Sequence, residues 1–237
     1  MTAPTEPRHI RSFVRRAGRQ TKAQDRALAE LWPRFGLPTH GPGPTLGPGN
    51  PPLLDLAGEF GRVAPCVLEI GFGNGDALVT MAAESPDRNF LGVEVHEPGV
   101  GHCLLAIERL GLSNVRLLMQ DAMDVLRDRL PDRSLLGVHL YFPDPWHKKR
   151  HHKRRLVQPE FVALLAAGLA TGGYFHAATD WPDYAGHIQA VVRASPAFEL
   201  LDTGPSGAIG GRPRTRFEAR GERLGHPIWE AVYQRTS

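Results

Sequence analysis

The residues of this 237-residue chain with the clearest chemical potential begin at Glu69-Ile70-Gly71-Phe72-Gly73-Asn74-Gly75-Asp76. Glycines at this spacing let a backbone turn sharply and approach a ligand closely. A dinucleotide fingerprint needs glycine at the sixth position of G-x-G-x-x-G, where this chain has Asp76. A phosphate-cradling loop needs Lys and then Ser or Thr after its last glycine, and neither is present. Glu69 would repel a pyrophosphate but suits a cationic ligand. Glu94 follows 23 residues after Gly71, where a carboxylate can accept both ribose hydroxyls of an adenosine. Asp121, in Met119-Gln120-Asp121-Ala122, is placed to meet an adenine amino group. Taken singly, each acid is an ordinary loop carboxylate and the glycines a tight turn. Taken together, they point to an adenosyl ligand that is cationic and carries no phosphate, S-adenosylmethionine rather than NAD.

A second cluster is Tyr141-Phe142-Pro143-Asp144-Pro145-Trp146, followed at once by His147-Lys148-Lys149-Arg150-His151-His152-Lys153-Arg154-Arg155. The flanking prolines restrict the backbone around Asp144. Phe142 and Trp146 offer stacking surface for a flat heterocycle, and Asp144 can accept hydrogen bonds from a base edge. A turn former between two core aromatics is the plainer reading, but it leaves the six following cations unexplained. A base-gripping loop beside a phosphate-gripping one accounts for both.

Both clusters fall where strands should end. Short apolar runs at 67–70, 90–95, 115–119, 135–142 and 174–179 read as strands. They alternate with helical patterns over 76–84, 101–110, 122–130, 159–169 and 184–194. Such alternation implies a mostly parallel α/β sheet with helices on both faces. Two further strands at 198–201 and 228–233, with no long helix between them, fit an antiparallel hairpin at the sheet edge and bring the total to seven. In open α/β sheets ligands sit beyond the carboxyl ends of the strands, where the polar residues above lie. An earlier helix is expected over 21–32, and the Pro/Gly-dense stretch 36–52 should be a loop. The expected organisation is a basic, flexible arm over 1–20 and a single domain over 21–237.

Charge is unevenly spread. Residues 1–26 carry seven cations against two acids, and 147–155 carry six cations and no acid, while the remainder holds 15 cations against 23 acids. Basic segments on an acidic body suit a polyanion. No run is apolar enough for a membrane span, and MTAPTEPRHIRSF has no apolar signal core, so a cytoplasmic protein is expected. Cys66 and Cys103 sit in apolar stretches and read as core residues. His147, His151 and His152 lie among cations, which disfavours a metal, and none is expected. His96, His102, His139 and His176 read as hydrogen-bonded core residues rather than ligands.

With these motifs assembled, the chain resembles the bacterial tRNA (guanine-N7-)-methyltransferases. The resemblance lies in EIGFGNGD at 69–76, GVEVHEPG at 92–99, QDA at 120–122 and YFPDPWHKKRHHKRR at 141–155. It extends to ATDW at 178–181, TRFEARGERLGHPIW at 215–229 and IRSFVRRAGRQTKAQDRAL at 10–28. It implies a Rossmann-like class I S-adenosylmethionine-dependent fold. It also implies cofactor binding by Glu69, Gly71, Gly73, Gly75, Glu94, Asp121 and Asp144, with Asp144 in the active site. Substrate contacts are implied at Lys148, Asp180, Thr215, Arg216, Phe217 and Glu218, and RNA contacts at Arg150, His151, His152, Lys153, Arg154 and Arg155. The implied reaction is methylation of N7 of guanine 46 in the tRNA variable loop, by a protein expected to be a monomer, with a dimer left open.

Guanine N7 carries a free lone pair, so no strong general base is needed, and no Ser–His or Cys–His pairing stands out to supply one. Three rivals remain. Enzymes acting on exocyclic base nitrogens usually carry Asp/Asn-Pro-Pro-aromatic after strand four, whereas this chain has Asp144-Pro145-Trp146. A protein or small-molecule methyltransferase leaves 147–155 unexplained. A non-catalytic RNA-binding protein on the same fold would not bind S-adenosylmethionine.

Overall fold

The computed structural model describes residues 12–13, 20–38, 52–205, 212–213, 218, 221, 223 and 225–236. Its strands are β1 (Cys66–Ile70), β2 (Asn89–Val93), β3 (Val115–Leu118), β4 (Leu135–Tyr141), β5 (Leu169–Thr179), β6 (Phe198–Pro205) and β7 (Trp229–Arg235). They form one seven-stranded sheet in the order β3-β2-β1-β4-β5-β7-β6. The pairs from β3 through β5 are parallel, and β7 runs antiparallel to both β5 and β6. The order reverses between β1 and β4, which is where a doubly wound sheet opens a crevice.

Strand β1 shows why both faces are covered. Cys66, Leu68 and Ile70 enter one apolar cluster and Val67 the other, as the two-residue period of a strand requires. The first cluster takes in α6 (Ala122–Asp128), α7 (Pro159–Gly168) and α8 (Pro182–Arg193). The second takes in α1 (Lys22–Glu30), the short α2 (Trp32–Phe35), α4 (Asp76–Glu84) and α5 (Glu97–Leu110). A further short helix, α3 (Leu56–Phe60), also packs on the first face through Phe60.

Several boundaries depart from the sequence expectations. Helix α5 begins at Glu97, not near 101, because Gly99 and Gly101 are close-packing points rather than breakers. A Cβ at Gly99 would come within 2.2 Å of the Gly73 carbonyl oxygen, and one at Gly101 within 2.9 Å of Gln24 Cβ on α1. Strand β5 starts at Leu169, since Thr171-Gly172-Gly173 lies inside the strand instead of preceding it. Strand β6 continues to Pro205, beyond the expected end at 201. The expected 21–32 helix stops at Glu30 and restarts as α2; its start is fixed by a capping box between Thr21 and Gln24. Most of the Pro/Gly stretch, 39–51, lies outside the described residues.

Candidate active site

The loops after β1 to β4 surround a cavity of about 220 Å³ at the carboxyl ends of the parallel strands. Gly71, Gly73, Glu94 and Asp144 line it, with Gln120, Tyr141 and Phe142. Gly71 has φ +68, a conformation side chains disfavour, and a Cβ there would meet nothing within 4 Å. The Glu94 carboxylate organises this end of the cavity. Its Oε2 accepts from Gly73 N at 2.8 Å, and its Oε1 accepts from Val95 N at 2.6 Å and His96 N at 3.0 Å. A carboxylate offers about four acceptor sites, so capacity remains for a ligand hydroxyl.

Three of the expected cofactor residues do not line the cavity. Gly75, at φ +81, packs the loop against α5: a Cβ there would come within 2.4 Å of Cys103 Sγ. Asp121 caps α6, accepting from Met123 N at 3.0 Å. Its neighbour Gln120 takes the wall position instead, and the buried Gln120 Oε1 has no hydrogen-bond partner. A side-chain amide at this wall, with an acceptor the fold leaves unused, suits a ligand amino group such as that of adenine. The sequence offered this residue beside Asp121, but the turn that decides which of the two faces inward is visible only in the fold.

Glu69 lies beneath the glycine loop, only 3% exposed, and its Oε2 has no hydrogen-bond partner. Burial, with the Glu94 charge adding to it, pushes its carboxyl up to about 8. A carboxyl raised in the folded state binds a proton that the unfolded chain has released, so stability falls as pH rises from about 4.5 to about 8. Glu69→Gln is expected to flatten that slope. The gain over the parent at pH 8 would be on the order of a few kcal/mol, read from urea midpoints in the absence of ligand across pH 5–8. An unchanged slope would mean that Glu69 is already ionised in the folded protein.

Beyond β4 the backbone bends abruptly. Phe142 and Trp146 both take positive φ, +52 and +46, as non-glycine residues rarely do. Phe142 and Asp144 face the cavity, and Asp144 is exposed there. Trp146 does not line it. Its Nε1 donates to Ser12 O at 2.9 Å, the Arg154 guanidinium lies over its ring at 4.9 Å, and His151 meets it edge-on. The expectation that Trp146 stacks on a base is corrected accordingly, because its surface is occupied by the N-terminal segment and the basic run. Ser12 and Phe13 belong to the cavity wall, a contribution from the expected arm that composition did not suggest.

The basic run forms a 3₁₀ turn over Lys149–Arg154. Lys148, Lys149, Arg150 and Lys153 are exposed, while His151, His152 and Arg154 are partly buried. Arg155 is different, at 3% exposure. Its Nε donates to Pro145 O at 2.9 Å, and its Nη2 reaches Asp183 and lies 3.1 Å from His152 Nε2. An RNA contact by Arg155 does not fit this placement, since the guanidinium is turned inward and engaged.

Asp180 sits 3.7 Å from His226 Nδ1, and His147 packs on Trp181 with ring centroids 4.1 Å apart. The start of the basic run and the C-terminal segment thus meet at the end of β5. Glu218 is buried there and accepts from Arg212 Nη1 at 2.7 Å. Thr215, Arg216 and Phe217 lie outside the described residues. Along β4 and β5, His139 Nε2 pairs with Tyr174 OH at 3.0 Å and His176 Nδ1 with Tyr141 OH at 3.1 Å. Burial lowers the pKa of both imidazoles. Among the described residues no group of three His, Cys, Asp or Glu is arranged to hold a metal ion, and no helix is long and apolar enough to cross a membrane.

This strand order, with a glycine-rich first loop and an acid after β2, defines a Rossmann-like class I methyltransferase. Solved structures agree on the fold. The 16S rRNA methyltransferase KamB matches at TM-score 0.58 and 18% identity, over 81% of this chain and 98% of that one. An rRNA methylase from Streptococcus thermophilus matches at TM-score 0.51 and 14% identity, over 73% and 88%. A family model described as "Putative methyltransferase" covers residues 63–231. The tRNA (guanine-N(7)-)-methyltransferase of Alkalilimnicola ehrlichii is 53% identical, over 98% of this chain and 95% of that protein. The protein of the same description from Halorhodospira halophila is 50% identical, over 97% and 96%. The chain belongs to the tRNA (guanine-N(7)-)-methyltransferase family.

Proposed function

We propose that this protein transfers the methyl group of S-adenosylmethionine to N7 of guanine 46 in the variable loop of tRNA. The observation that carries this reading is a single cavity with the glycine loop and Glu94 on one side and Phe142-Pro143-Asp144 on the other, with the basic turn at Lys149–Arg154 following Asp144 closely along the chain. Relatives about half identical over nearly their whole length bear the corresponding name.

Glu94 would hold the ribose hydroxyls, the unpartnered Gln120 Oε1 the adenine amino group, and the open side of Gly71 leaves room for close approach. Bound there, S-adenosylmethionine supplies an electrophilic methyl group on a cationic sulfonium. The chain's own work is alignment and electrostatics, because guanine N7 needs no deprotonation. Phe142 offers a flat surface to the base. Asp144, exposed at the cavity wall, stabilises the positive charge that methylation leaves on the purine. Lys148, Asp180 and the 215–218 segment would contact the substrate, and the exposed cations from Lys148 to Lys153 would meet phosphates. Residues 1–20 serve as a basic arm on a single domain over 21–237, and the enzyme works as a cytoplasmic monomer.

The test is methyl transfer from labelled S-adenosylmethionine to an unmodified tRNA transcript, with borohydride reduction and aniline cleavage to locate N7-methylguanine. One cut in the variable loop, lost when that guanine is replaced, is the expected result. Binding of S-adenosylmethionine without incorporation would retain the cofactor and discard the substrate. Asp144→Asn is expected to lower turnover at saturating tRNA about 100-fold, the scale of one lost electrostatic contact in a transition state. Full turnover would reduce Asp144 to a positioning role.

A further inference from the structure

A buried arginine outside the motifs joins three parts of the site. Arg212 is 2% exposed at its side chain, and its guanidinium reaches carboxylates on two separate segments. Nη1 donates to Glu218 Oε2 at 2.7 Å, and Nε donates to Glu230 on β7. The same guanidinium lies 5.5 Å from the ring centroids of both Tyr141 and Phe142, which line the cavity. Sheet register explains the convergence. Tyr141 pairs with Ala178 on β5, Ala178 pairs with Glu230 on β7, and Arg212 lies against this row where Phe142 begins its positive-φ bend.

We propose that Arg212 is a positioning residue for methyl transfer, tying Glu218 and Glu230 to the Tyr141-Phe142 wall of the cavity. Buried carboxylates are tolerated only when paired. Without the guanidinium, Glu218 and Glu230 would lose the cation they share, and with it the link from both carboxylates to the Tyr141 and Phe142 rings. A lysine cannot replace the fork, because one ammonium does not span two carboxylates while stacking on two rings. Arg212 acts through Glu218 rather than on the reacting atoms. This rests on the reading of the cavity as a guanine N7 methylation site.

The experiment combines a double-mutant cycle with hydrogen exchange, and the parent protein's turnover on tRNA serves as the separate check of that reading. Arg212→Ala and Glu218→Gln are each expected to lower kcat/KM for tRNA about 100-fold, and the double variant by about the same factor, since both break one device. Affinity for S-adenosylmethionine should stay within about threefold, because neither residue lines its cavity. Multiplying losses, near 10,000-fold in the double variant, would show independent effects and overturn the proposal. So would full activity of Arg212→Ala.

Should Arg212→Ala fail to fold, Arg212→Lys carries the test. It is expected to lose kcat/KM at least tenfold, and peptides covering Glu230 on β7 should exchange at least tenfold faster than in the parent. Parent-like exchange and activity in that variant would overturn the latch while leaving the methyltransferase reading intact. The exchange measurement needs no turnover, so absence of tRNA methylation by the parent would count against the function and not against the latch.

Discussion

Glu94→Ala is expected to weaken S-adenosylmethionine binding at least about 100-fold by calorimetry, with no methyl transfer at cofactor concentrations that saturate the parent. Two losses combine. The ribose hydroxyls forfeit charge-assisted hydrogen bonds worth roughly 1.5–3 kcal/mol each, and every 1.4 kcal/mol is about tenfold in affinity. The amides of Gly73, Val95 and His96 also lose the acceptor that now holds them on one side chain. The glycine loop would then have to be ordered when ligand binds, at a further cost in affinity. Glu94→Gln separates the two effects. It retains one acceptor oxygen but turns an amide nitrogen toward backbone N–H groups, so an intermediate loss of about tenfold or more is expected. Binding by Glu94→Ala within threefold of the parent would place the adenosine elsewhere and remove the main support for the cofactor assignment.

How far this site can be read without a fold is clear from particular residues. The strand–helix alternation sets the architecture, because β1, β2 and β4 are apolar runs too short to be anything but buried strands. It also sets the edge at which Gly71, Glu94 and Asp144 gather. What the alternation does not carry is side-chain direction in the loops. Asp121 and Gln120 are adjacent in sequence, and only the turn into α6 decides that the acid caps the helix while Gln120 joins the cavity wall. Trp146 reads as a stacking surface until the positive φ at its own position directs it to Ser12 and Arg154. Gly99 and Gly101 suggest a break where the chain uses them to bring α5 against the glycine loop and α1. Arg212 carries no local signal, since its partners lie on β7 and in the 218 segment and meet only through pairing across the sheet. In each case the missing information is tertiary: which face a short segment turns inward depends on neighbours distant along the chain.

The same distinction divides the basic run, and Arg155→Ala is expected to separate chemistry from RNA affinity. Arg155 ties Pro145 O, one residue beyond Asp144, to Asp183 at the start of α8, and its guanidinium lies 4.9 Å from the Tyr184 ring centroid. Removing it frees the turn that presents Asp144 and Phe142. Misplacement of about 1 Å in a positioned group can lower a rate about 100-fold. A fall of that size in kcat is therefore expected, with tRNA affinity and its salt dependence nearly unchanged. Lys153→Ala should behave in the opposite way. Lys153 is exposed, so its loss should raise KM for tRNA and flatten the plot of log affinity against log salt by about one phosphate contact, with kcat at saturating tRNA retained. Arg155→Lys preserves charge but not the fork that reaches both Pro145 and Asp183, so its rescue should be incomplete. A phosphate contact by Arg155 would reverse the pattern, with Arg155→Ala copying Lys153→Ala in salt slope and keeping full kcat. Single-turnover rates measured beside the salt titration distinguish the two, and a thermal melt of each variant establishes that the loop, rather than the whole domain, has been loosened.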